Sequence, residues 1–345
     1  MSAYLRPLFE LTLARLREQS RQPEILFWVF AFPILLAVAL GLAFRNRPAD
    51  VIRVAVAAGA GADTLAARLE AEPGFAVSVL PADIASEHLR TGRVALVVVS
   101  SDSIAYRFDP NRSESRLARL ATDDALQRAL GRRDARPTVD RVVTERGARY
   151  IDFLIPGLLG LNLMGTGMWG MGYAVVDARR RKLMKRLVAS PMRRSQYLLS
   201  FIAARLVLLG PEVAVLVGFG ALVFGVPVRG SLASLALVSV VGAMCFAGIG
   251  LLTACRAQTV EAVSGLMNLV QLPMWVLSGV FFSPANFPAA MQPFIEALPL
   301  TALNEALRGV MIDGASLAAV GAPLAICAAW GAISFAVALR LFRWL

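Results

Sequence analysis

Residues 153–182 read FLIPGLLGLNLMGTGMWGMGYAVVDARRRK, an apolar run that ends in a cluster of basic residues. Positions 153–176 hold no charged side chain, and about 20 apolar residues suffice for an α-helix to cross the ~30 Å hydrocarbon core of a bilayer. The basic cluster that follows is typical of the cytoplasmic side of a membrane helix. The stretch therefore predicts a spanning helix whose carboxyl end lies in the cytoplasm.

Five further runs are apolar enough to cross a membrane. The predicted spans are 25–44, 153–176, 197–224, 232–254, 260–282 and 315–339. With 57% hydrophobic and 17% charged residues, and a mean hydropathy of +0.63, the chain has more apolar surface than one water-soluble domain of 345 residues buries. The predicted fold class is mainly α, a polytopic membrane protein with six transmembrane helices and an inserted extracytoplasmic α/β domain.

Arginine and lysine in the short loops predict the orientation of the spans. The basic residues that carry this signal are Arg6, Arg15, Arg17, Arg21, Arg179, Arg180, Arg181, Lys182, Lys185, Arg186, Arg193, Arg194, Arg256, Arg340 and Arg343. Six crossings with both termini in the cytoplasm place all of them inside, as the positive-inside rule requires. A five-span arrangement leaves one basic cluster outside, so six spans are preferred.

Residues 46–149 differ from the rest because basic and acidic side chains are nearly balanced there and no run is long enough to cross. Since they follow span one (25–45), they are predicted to lie outside. Strand-like and helix-like segments alternate, which indicates a small α/β domain. The predicted strands are 52–58, 76–80, 95–99 and 104–108, and the predicted helices are 63–71, 82–90 and 113–130.

Two segments at the membrane edges are neither spans nor ordinary loops. Residues 1–24 contain an amphipathic stretch, 4–21, which predicts a helix in the cytoplasmic interface, with a solvated tail as the alternative. Residues 283–313 are too apolar for a free loop and too rich in proline for a span. We expect short re-entrant helices there, on the outer side of the 150–345 region, and its marker residues are Pro284, Pro299, Glu305 and Arg308.

The net charge of +11 does not indicate a nucleic-acid partner, because the basic residues cluster beside apolar runs and membrane lipid is the expected contact. An intramembrane enzyme is disfavoured as well. The single histidine, His88, lies in the predicted outer domain, and no set of metal ligands or of nucleophile and base appears in the spans. We therefore predict no catalytic residue, no metal site and no cofactor bound by this chain.

Polar residues inside spans are candidate functional residues, because a polar side chain in hydrocarbon costs free energy. Arg205 and Glu212 lie seven positions apart on a similar face of the third span, with Pro211 between them. A direct pair between them requires a bend at Pro211, and each also has the alternative of a partner on another helix. The candidates for a translocation path or for structural contacts are Asn162, Met164, Met168, Arg205, Glu212, Asn268 and Gln271.

The second span combines six glycines between positions 157 and 172 with Met164, Met168 and Met171. Small residues let helices approach closely, and methionine adapts to apolar partners of varied shape. Two interpretations stay open: a flexible apolar path for a drug-like or lipid-like compound, and close helix packing at a dimer seam.

Three segments of the chain resemble the permeases of type-2 ABC transporters, in the branch with a large outer domain that includes daunorubicin-resistance-like exporters. Residues 150–159, YIDFLIPGLL, are similar to the entry of that family's second span. Residues 186–194, RLVASPMRR, resemble its cytoplasmic segment before the third span. Residues 277–284, LSGVFFSP, with LPLT at 298–301 and EALR at 305–308, resemble its outer re-entrant region. With the order of spans, the resemblance covers essentially the whole chain.

The resemblance implies an exporter in which two permease chains, identical or homologous, pair with two ABC ATPase subunits that bind ATP and Mg²⁺. This chain has no GxxxxGK[ST] phosphate loop of its own. The cytoplasmic loop 177–196 is then the element that transmits ATPase closure to the spans, with Arg179, Arg186, Leu187 and Pro191 as contacts. The alternative is that these charges only fix topology and touch anionic lipid.

The sequence thus predicts the permease subunit of an ATP-driven ABC exporter that moves a hydrophobic or amphipathic compound, drug-like or lipid-like, out across the bacterial plasma (inner) membrane. The alternative is a membrane-anchored sensor or assembly protein that acts through its extracytoplasmic domain. A self-sufficient secondary transporter is disfavoured because the chain shows no internal repeat.

Overall fold

The computed structural model describes residues 5–43, 51–100, 103–132, 149–180 and 194–341. The chain divides into two units: Asn46–Val143 is the first, and Met1–Arg45 with Thr144–Leu345 is the second. Six helices are long and apolar enough to cross a membrane, and a small sheet lies in the first unit. The predicted fold class is therefore confirmed.

The membrane unit begins with two helices, α1 (Leu5–Ser20) and α2 (Pro23–Ala43). Pro23 lies in the first turn of α2, where the missing N–H costs no hydrogen bond. The segment Phe27–Ala31 of α2 forms a π-helical turn. A π turn leaves backbone carbonyls without their usual partner, and it marks many functional sites. No sequence signal predicted it.

The first unit contains a four-stranded sheet in the order β2-β1-β3-β4, with strands β1 (Ile52–Ala57), β2 (Phe75–Leu80), β3 (Leu96–Ser100) and β4 (Ile104–Arg107). The first three strands are parallel, and β4 is antiparallel to β3. In register, Val54 pairs with both Val77 and Leu96, and Val98 pairs with Tyr106. The central strand β1 is buried on both faces, which explains its nearly continuous apolar sequence.

Helices cover both faces of this sheet. They are α3 (Ala62–Glu70), α4 (Ala82–Thr91) and α5 (Ser113–Ala129). One apolar cluster joins Val54 and Val56 to Leu69 of α3 and Leu126 of α5, and a second joins Ala55 to Ala85 of α4. All seven elements predicted from the sequence are present, with bounds that differ by at most one residue.

The rest of the membrane unit is helical. Its long helices are α6 (Tyr150–Arg180), α7 (Arg194–Phe224), α8 (Leu232–Ala254) and α9 (Val260–Leu277), followed by two short helices, α10 (Gln292–Glu296) and α11 (Pro299–Met311), and by α12 (Gly321–Leu341). The six candidate spans are α2, α6, residues Leu199–Phe224 of α7, α8, α9 and α12. The predicted number of spans is confirmed.

Helix α6 is the centre of this unit. It packs against α2, α7, α8, α9 and α11, and most of its side chains are buried. Its glycines allow the neighbouring segments to approach closely. A Cβ on Gly167 would lie 2.9 Å from Phe246 Cβ, and one on Gly157 would lie 2.7 Å from the Val280 carbonyl oxygen. Close packing within the chain is therefore one use of the glycine-rich second span.

Helix α1 is docked on α7. The guanidinium of Arg15 lies 3.1 Å from the centroid of the Phe201 ring, and its Nε donates to Ser200 Oγ at 2.9 Å. Thr12, one turn earlier, is buried on the same face, whereas Phe9 is exposed. The predicted helix at 4–21 is present, and its packing face is partly polar rather than purely apolar.

Two predicted span boundaries are wrong, the end of the fifth span and the start of the sixth. The fifth span ends at Leu277 rather than 282, and the sixth helix starts at Gly321 rather than 315. Gly279 and Gly314 have φ values of +69° and +67°, a backbone region that ends helices and that glycine adopts without strain. Residues near these points are apolar because they pack against other helices, so hydropathy alone did not separate them from the spans.

The contact of α6 with α8 gives a first prediction. A Cβ on Gly250 would lie 2.6 Å from the carbonyl oxygen and 2.7 Å from the Cα of Met168, and neither backbone atom moves without shifting α6. We expect Gly250→Ala to lower the free energy of unfolding by about 1–3 kcal/mol. The measurement is thermal unfolding of the purified protein in detergent, followed by tryptophan fluorescence.

Gly165→Ala is the matched control, because a Cβ at Gly165 in α6 meets no atom within 4 Å. This variant should melt at or slightly above the wild-type temperature, since alanine favours helix over glycine. Equal melting temperatures for the two variants would contradict the packing that we describe.

Candidate functional site

Polar groups of three helices meet in a network that joins α2, α6 and α7. Asn162 of α6 donates from Nδ2 to the Val29 carbonyl oxygen in the π turn of α2, at 2.9 Å. Thr166, one turn further along α6, places Oγ1 2.7 Å from the Asn162 carbonyl oxygen and 2.9 Å from Glu212 Oε1 of α7. Because the hydroxyl has a single proton, it donates to only one of these acceptors at a time.

Arg205 and Glu212 complete the network on α7. Arg205 Nη1 donates directly to Glu212 Oε2. The two residues are separated by about 10.5 Å along a helix axis, and two long side chains bridge that separation. The prediction allowed either this pair or partners on other helices. The structure has both, since Thr166 of α6 also contacts Glu212.

The pair is deeply buried and only partly satisfied. The Glu212 side chain is fully buried and that of Arg205 is 12% exposed. Arg205 Nε and Nη2 are buried and have no hydrogen-bond partner within the described ranges. Each unsatisfied donor costs about 1–3 kcal/mol, so this arrangement depends on the surrounding helices to hold it.

A second polar contact joins α6 to α9. Trp169 Nε1 donates to Gln271 Oε1 at 2.9 Å, and Gln271 Nε2 lies 3.6 Å from the sulfur of Met168. Met164 and Met168 are fully buried in the core of the membrane unit. In this chain, then, both methionines and Gln271 are packed between helices.

Asn268 has a different environment, because it is exposed. The buried face of α9 consists of Val263, Met267, Gln271 and Met274. Beside that face runs a strip of exposed residues at i, i+4, i+7 and i+11, formed by Glu261, Gly265, Asn268 and Leu272. We call these four residues the α9 strip. It is polar in the half of α9 nearer Val260.

The segment 283–313, which the sequence predicted to be re-entrant, has its own polar centre around the half-buried Arg308 of α11. The guanidinium lies 3.6 Å from the centroid of the Phe153 ring, Nε donates to the Phe153 carbonyl oxygen at 3.3 Å, and Nη2 donates to the Gly279 carbonyl oxygen. Pro299 is buried at the start of α11, Pro284 opens a 3₁₀ turn at Pro284–Asn286, and Glu305 is exposed. Pro284 and Arg308 both lie beside Gly279, whereas Glu305 is exposed.

The start of α6 contains two important residues that we did not predict, Arg149 and the buried Asp152. Arg149 donates from Nε and Nη2 to the two carboxylate oxygens of Asp152, at 2.9 and 2.7 Å, and from Nη2 to the Gly225 carbonyl oxygen at the end of α7, at 3.2 Å. Hydrogen bonding to Asp152 raises the pKa of Arg149. Their i, i+3 spacing at a helix start was the available sequence signal.

The predicted coupling residues fall in two groups. Arg186, Leu187 and Pro191 lie outside the described residues. Arg179 lies in the last turn of α6, and its guanidinium donates to carbonyl oxygens that follow the end of α8. Within the described ranges, no group of three or more His, Cys, Asp and Glu residues is placed to hold a metal ion.

The buried pair predicts an asymmetry between single and double variants. Glu212→Ala leaves the Arg205 charge without its carboxylate, and we expect a loss of about 3–5 kcal/mol in unfolding free energy. The double variant Arg205→Met/Glu212→Leu removes both charges and should recover most of that loss. Thermal unfolding in detergent measures both. A double variant that melts no higher than Glu212→Ala would contradict the pairing.

Comparisons with known proteins agree with this architecture. The family model of the ABC-2 family transporter protein matches residues 23–340. ABC transporter G family member 20 of Dictyostelium discoideum is 27% identical over 172 residues, which cover 49% of this chain and 23% of that protein. The linearmycin resistance permease protein LnrN of Bacillus subtilis (strain 168) is 24% identical over 176 residues, which cover 51% of this chain and 46% of that protein.

The chain thus spans less than half of the length of these two relatives. The family match, by contrast, extends from the first span to the last one. With its six candidate membrane helices, this chain belongs to the ABC-2 family of transporter proteins and is a multi-pass membrane permease.

Proposed function

We propose that this chain is the membrane subunit of an ATP-driven exporter, in which two permease chains and two nucleotide-binding subunits act together. ATP and Mg²⁺ bind to the partner subunits, and this chain supplies the path. The proposed location is the bacterial plasma membrane with both termini in the cytoplasm, because this arrangement places the clusters of basic residues beside the spans, above all the one that begins at Arg179, on that side.

The observation that carries this proposal is the α9 strip. A polar side chain such as Asn268, exposed in the middle of a spanning helix, is unfavourable against lipid tails and needs a polar contact or water. The face of α9 that carries Leu269 and Val276 is apolar and exposed, as a lipid-facing surface is. We therefore assign the α9 strip to the seam between two permease chains, along the translocation path.

The chemistry of this helix supports an amphipathic or hydrophobic substrate. Beyond Asn268 the exposed residues of α9 are mainly apolar, and they include Leu272 and Trp275. An apolar surface of this kind binds a hydrophobic compound and offers few polar groups to orient it. The relative from Bacillus subtilis carries linearmycin resistance in its name, so linearmycin is the first compound to test with this chain.

Helix α6 connects the loop 177–196 to the helices that line the proposed translocation path. The loop begins in the last turn of α6, and α6 packs against α2, α7, α8, α9 and α11. A movement of the loop therefore reaches these helices through α6. This arrangement supports the coupling role of the segment that contains Arg186, Leu187 and Pro191.

The first experiment tests the coupling segment. The chain is co-purified with its nucleotide-binding subunit and reconstituted in lipid vesicles, and ATP hydrolysis is measured with and without linearmycin. We expect Leu187→Ala to reduce permease-dependent hydrolysis at least fivefold, because it removes an apolar contact to the ATPase. Leu222→Ala, at an exposed position near the carboxyl end of α7, is the control and should hydrolyse ATP as the wild type does.

If no nucleotide-binding subunit associates with the wild-type chain in any of several detergents and lipids, the exporter proposal is overturned. The alternative, a sensor or assembly protein that acts through the Asn46–Val143 unit, would then be preferred.

The path assignment gives a second prediction. Asn268→Leu should lower transport into vesicles at least fivefold while the assembled complex and its melting temperature are retained, because only the polarity of the α9 strip changes. Leu269→Ala is the matched control, since Leu269 is 70% exposed on the neighbouring apolar face. Equal transport by Asn268→Leu and wild type would exclude the α9 strip from the path.

A further inference from the structure

The turn between α8 and α9 is short, and it consists of the residues that cap the two helices and those between them. Helix α8 ends at Ala254 with Cys255 as its C-cap, and α9 begins at Val260 after Thr259, whose side chain caps it by accepting from the Ala262 N–H. Only residues 255–259 connect the two helices. A displacement of this turn therefore moves the adjoining ends of α8 and α9 together.

Arg179 of α6 is the side chain that holds this turn. Its Nη1 donates to the carbonyl oxygens of Ala257 at 2.7 Å and Ala254 at 3.3 Å, and its Nη2 donates to that of Cys255 at 3.1 Å. The last four carbonyls of an α-helix have no partner within the helix, and a basic side chain at its end satisfies them well. One guanidinium thus fixes the end of α8 and the turn to α6.

The position of Arg179 in the chain connects this contact to the segment that we propose to engage the ATPase. It lies next to Arg180, the last residue of α6, inside the loop segment 177–196 that we propose to engage the ATPase. Val175, Val176 and Ala178 beside it are buried, so the last turn of α6 is packed into the unit. The contacts of Arg179 thus connect the start of the loop directly to the turn 255–259, in addition to the connection along α6.

We infer that Arg179 is a positioning residue that couples the cytoplasmic loop to the turn 255–259, and through that turn to α9 and the α9 strip. This inference rests on the proposed exporter function, which it deepens. It gives Arg179 a role within the chain in place of the ATPase contact that the sequence predicted. The nucleotide-binding subunit then acts on Arg179 through the loop rather than by touching its guanidinium.

The geometry requires arginine at this position. A planar guanidinium presents several N–H groups in a fixed fork and reaches three carbonyls at once, whereas the lysine ammonium is a compact charge on a flexible stem. Arg179→Lys should therefore hold the turn only in part, and Arg179→Gln should release it. Arg340 is exposed in the last turn of α12, outside the loop 177–196, so Arg340→Gln is the matched control.

The turn contains a natural reporter, Cys255. All three cysteines are buried, but Cys245 and Cys327 lie within α8 and α12, whereas Cys255 lies in the turn that Arg179 contacts. The experiment uses the complete complex in lipid vesicles. The rate of Cys255 alkylation by a maleimide is measured with and without ATP and Mg²⁺, and Cys255→Ser gives the background. Transport and ATP hydrolysis are measured in the same samples.

We expect slow alkylation in the wild type, with a rate that changes when ATP and Mg²⁺ are added. Arg179→Gln should be alkylated at least tenfold faster at a rate that no longer depends on nucleotide, and it should hydrolyse ATP while transport falls at least fivefold. Arg179→Lys should lie between the two, and Arg340→Gln should behave as the wild type. If Arg179→Gln does not fold, as judged by size-exclusion chromatography, the intermediate behaviour of Arg179→Lys is the test.

Two results would overturn the inference alone. If nucleotide still changes Cys255 alkylation in the Arg179 variants and transport stays coupled, Arg179 is a static helix cap. If the variants lose the nucleotide-binding subunit while Cys255 stays protected, Arg179 is an ATPase contact. A wild-type chain that binds no such subunit overturns the exporter function itself, and this inference with it.

Discussion

The close approach of α6 to its neighbours is the interaction on which the membrane unit depends. Glycines at 157, 167 and 172 of α6 and at 250 of α8 remove the side chains that would hold the backbones apart. Dispersion contacts between closely packed helices are a main source of stability in a bilayer, where lipid tails remove most of the hydrophobic drive for helices to associate. Because α6 contacts five other helices, a loss of this packing would loosen most of the unit at once.

A second requirement is that backbone carbonyls find hydrogen-bond donors. Each helix end and each π or 3₁₀ turn leaves carbonyl oxygens without a partner, and hydrocarbon offers no donor. This chain meets it with side chains from neighbouring helices. Asn162 donates a hydrogen bond to the Val29 carbonyl oxygen, and Arg149 donates one to that of Gly225. In the same way, Arg308 donates to the Gly279 carbonyl oxygen and Asn304 to that of Ser278. Arg179 does the same at the α8–α9 turn. Several intramembrane polar residues therefore stabilise irregular backbone, and these contacts also fix which helices move together.

These contacts divide the polar residues by use. Asn162, Thr166, Glu212 and Arg205 connect α2, α6 and α7 within the protein, whereas Asn268 on α9 is exposed. The first group is suited to hold helices in register, and the second position is suited to meet a substrate or a second chain. Arg205 belongs to the first group but has two unsatisfied donors, so its arrangement is sensitive to any shift of these helices.

The sequence by itself determined the number of spans, the inserted α/β unit and the short helices near 283–313, because apolar length, charge in loops and strand–helix alternation are local properties. Hydropathy misplaced the end of the fifth span and the start of the sixth helix, since apolar residues pack equally well in a span or against one. Only the tertiary structure decided that Asn162 meets a π turn of α2, that Met164 and Met168 are packed while Asn268 is exposed, and that Arg179 holds the α8–α9 turn. Each of these depends on which helices are neighbours and on how they are rotated, and a single sequence does not record such long-range contacts.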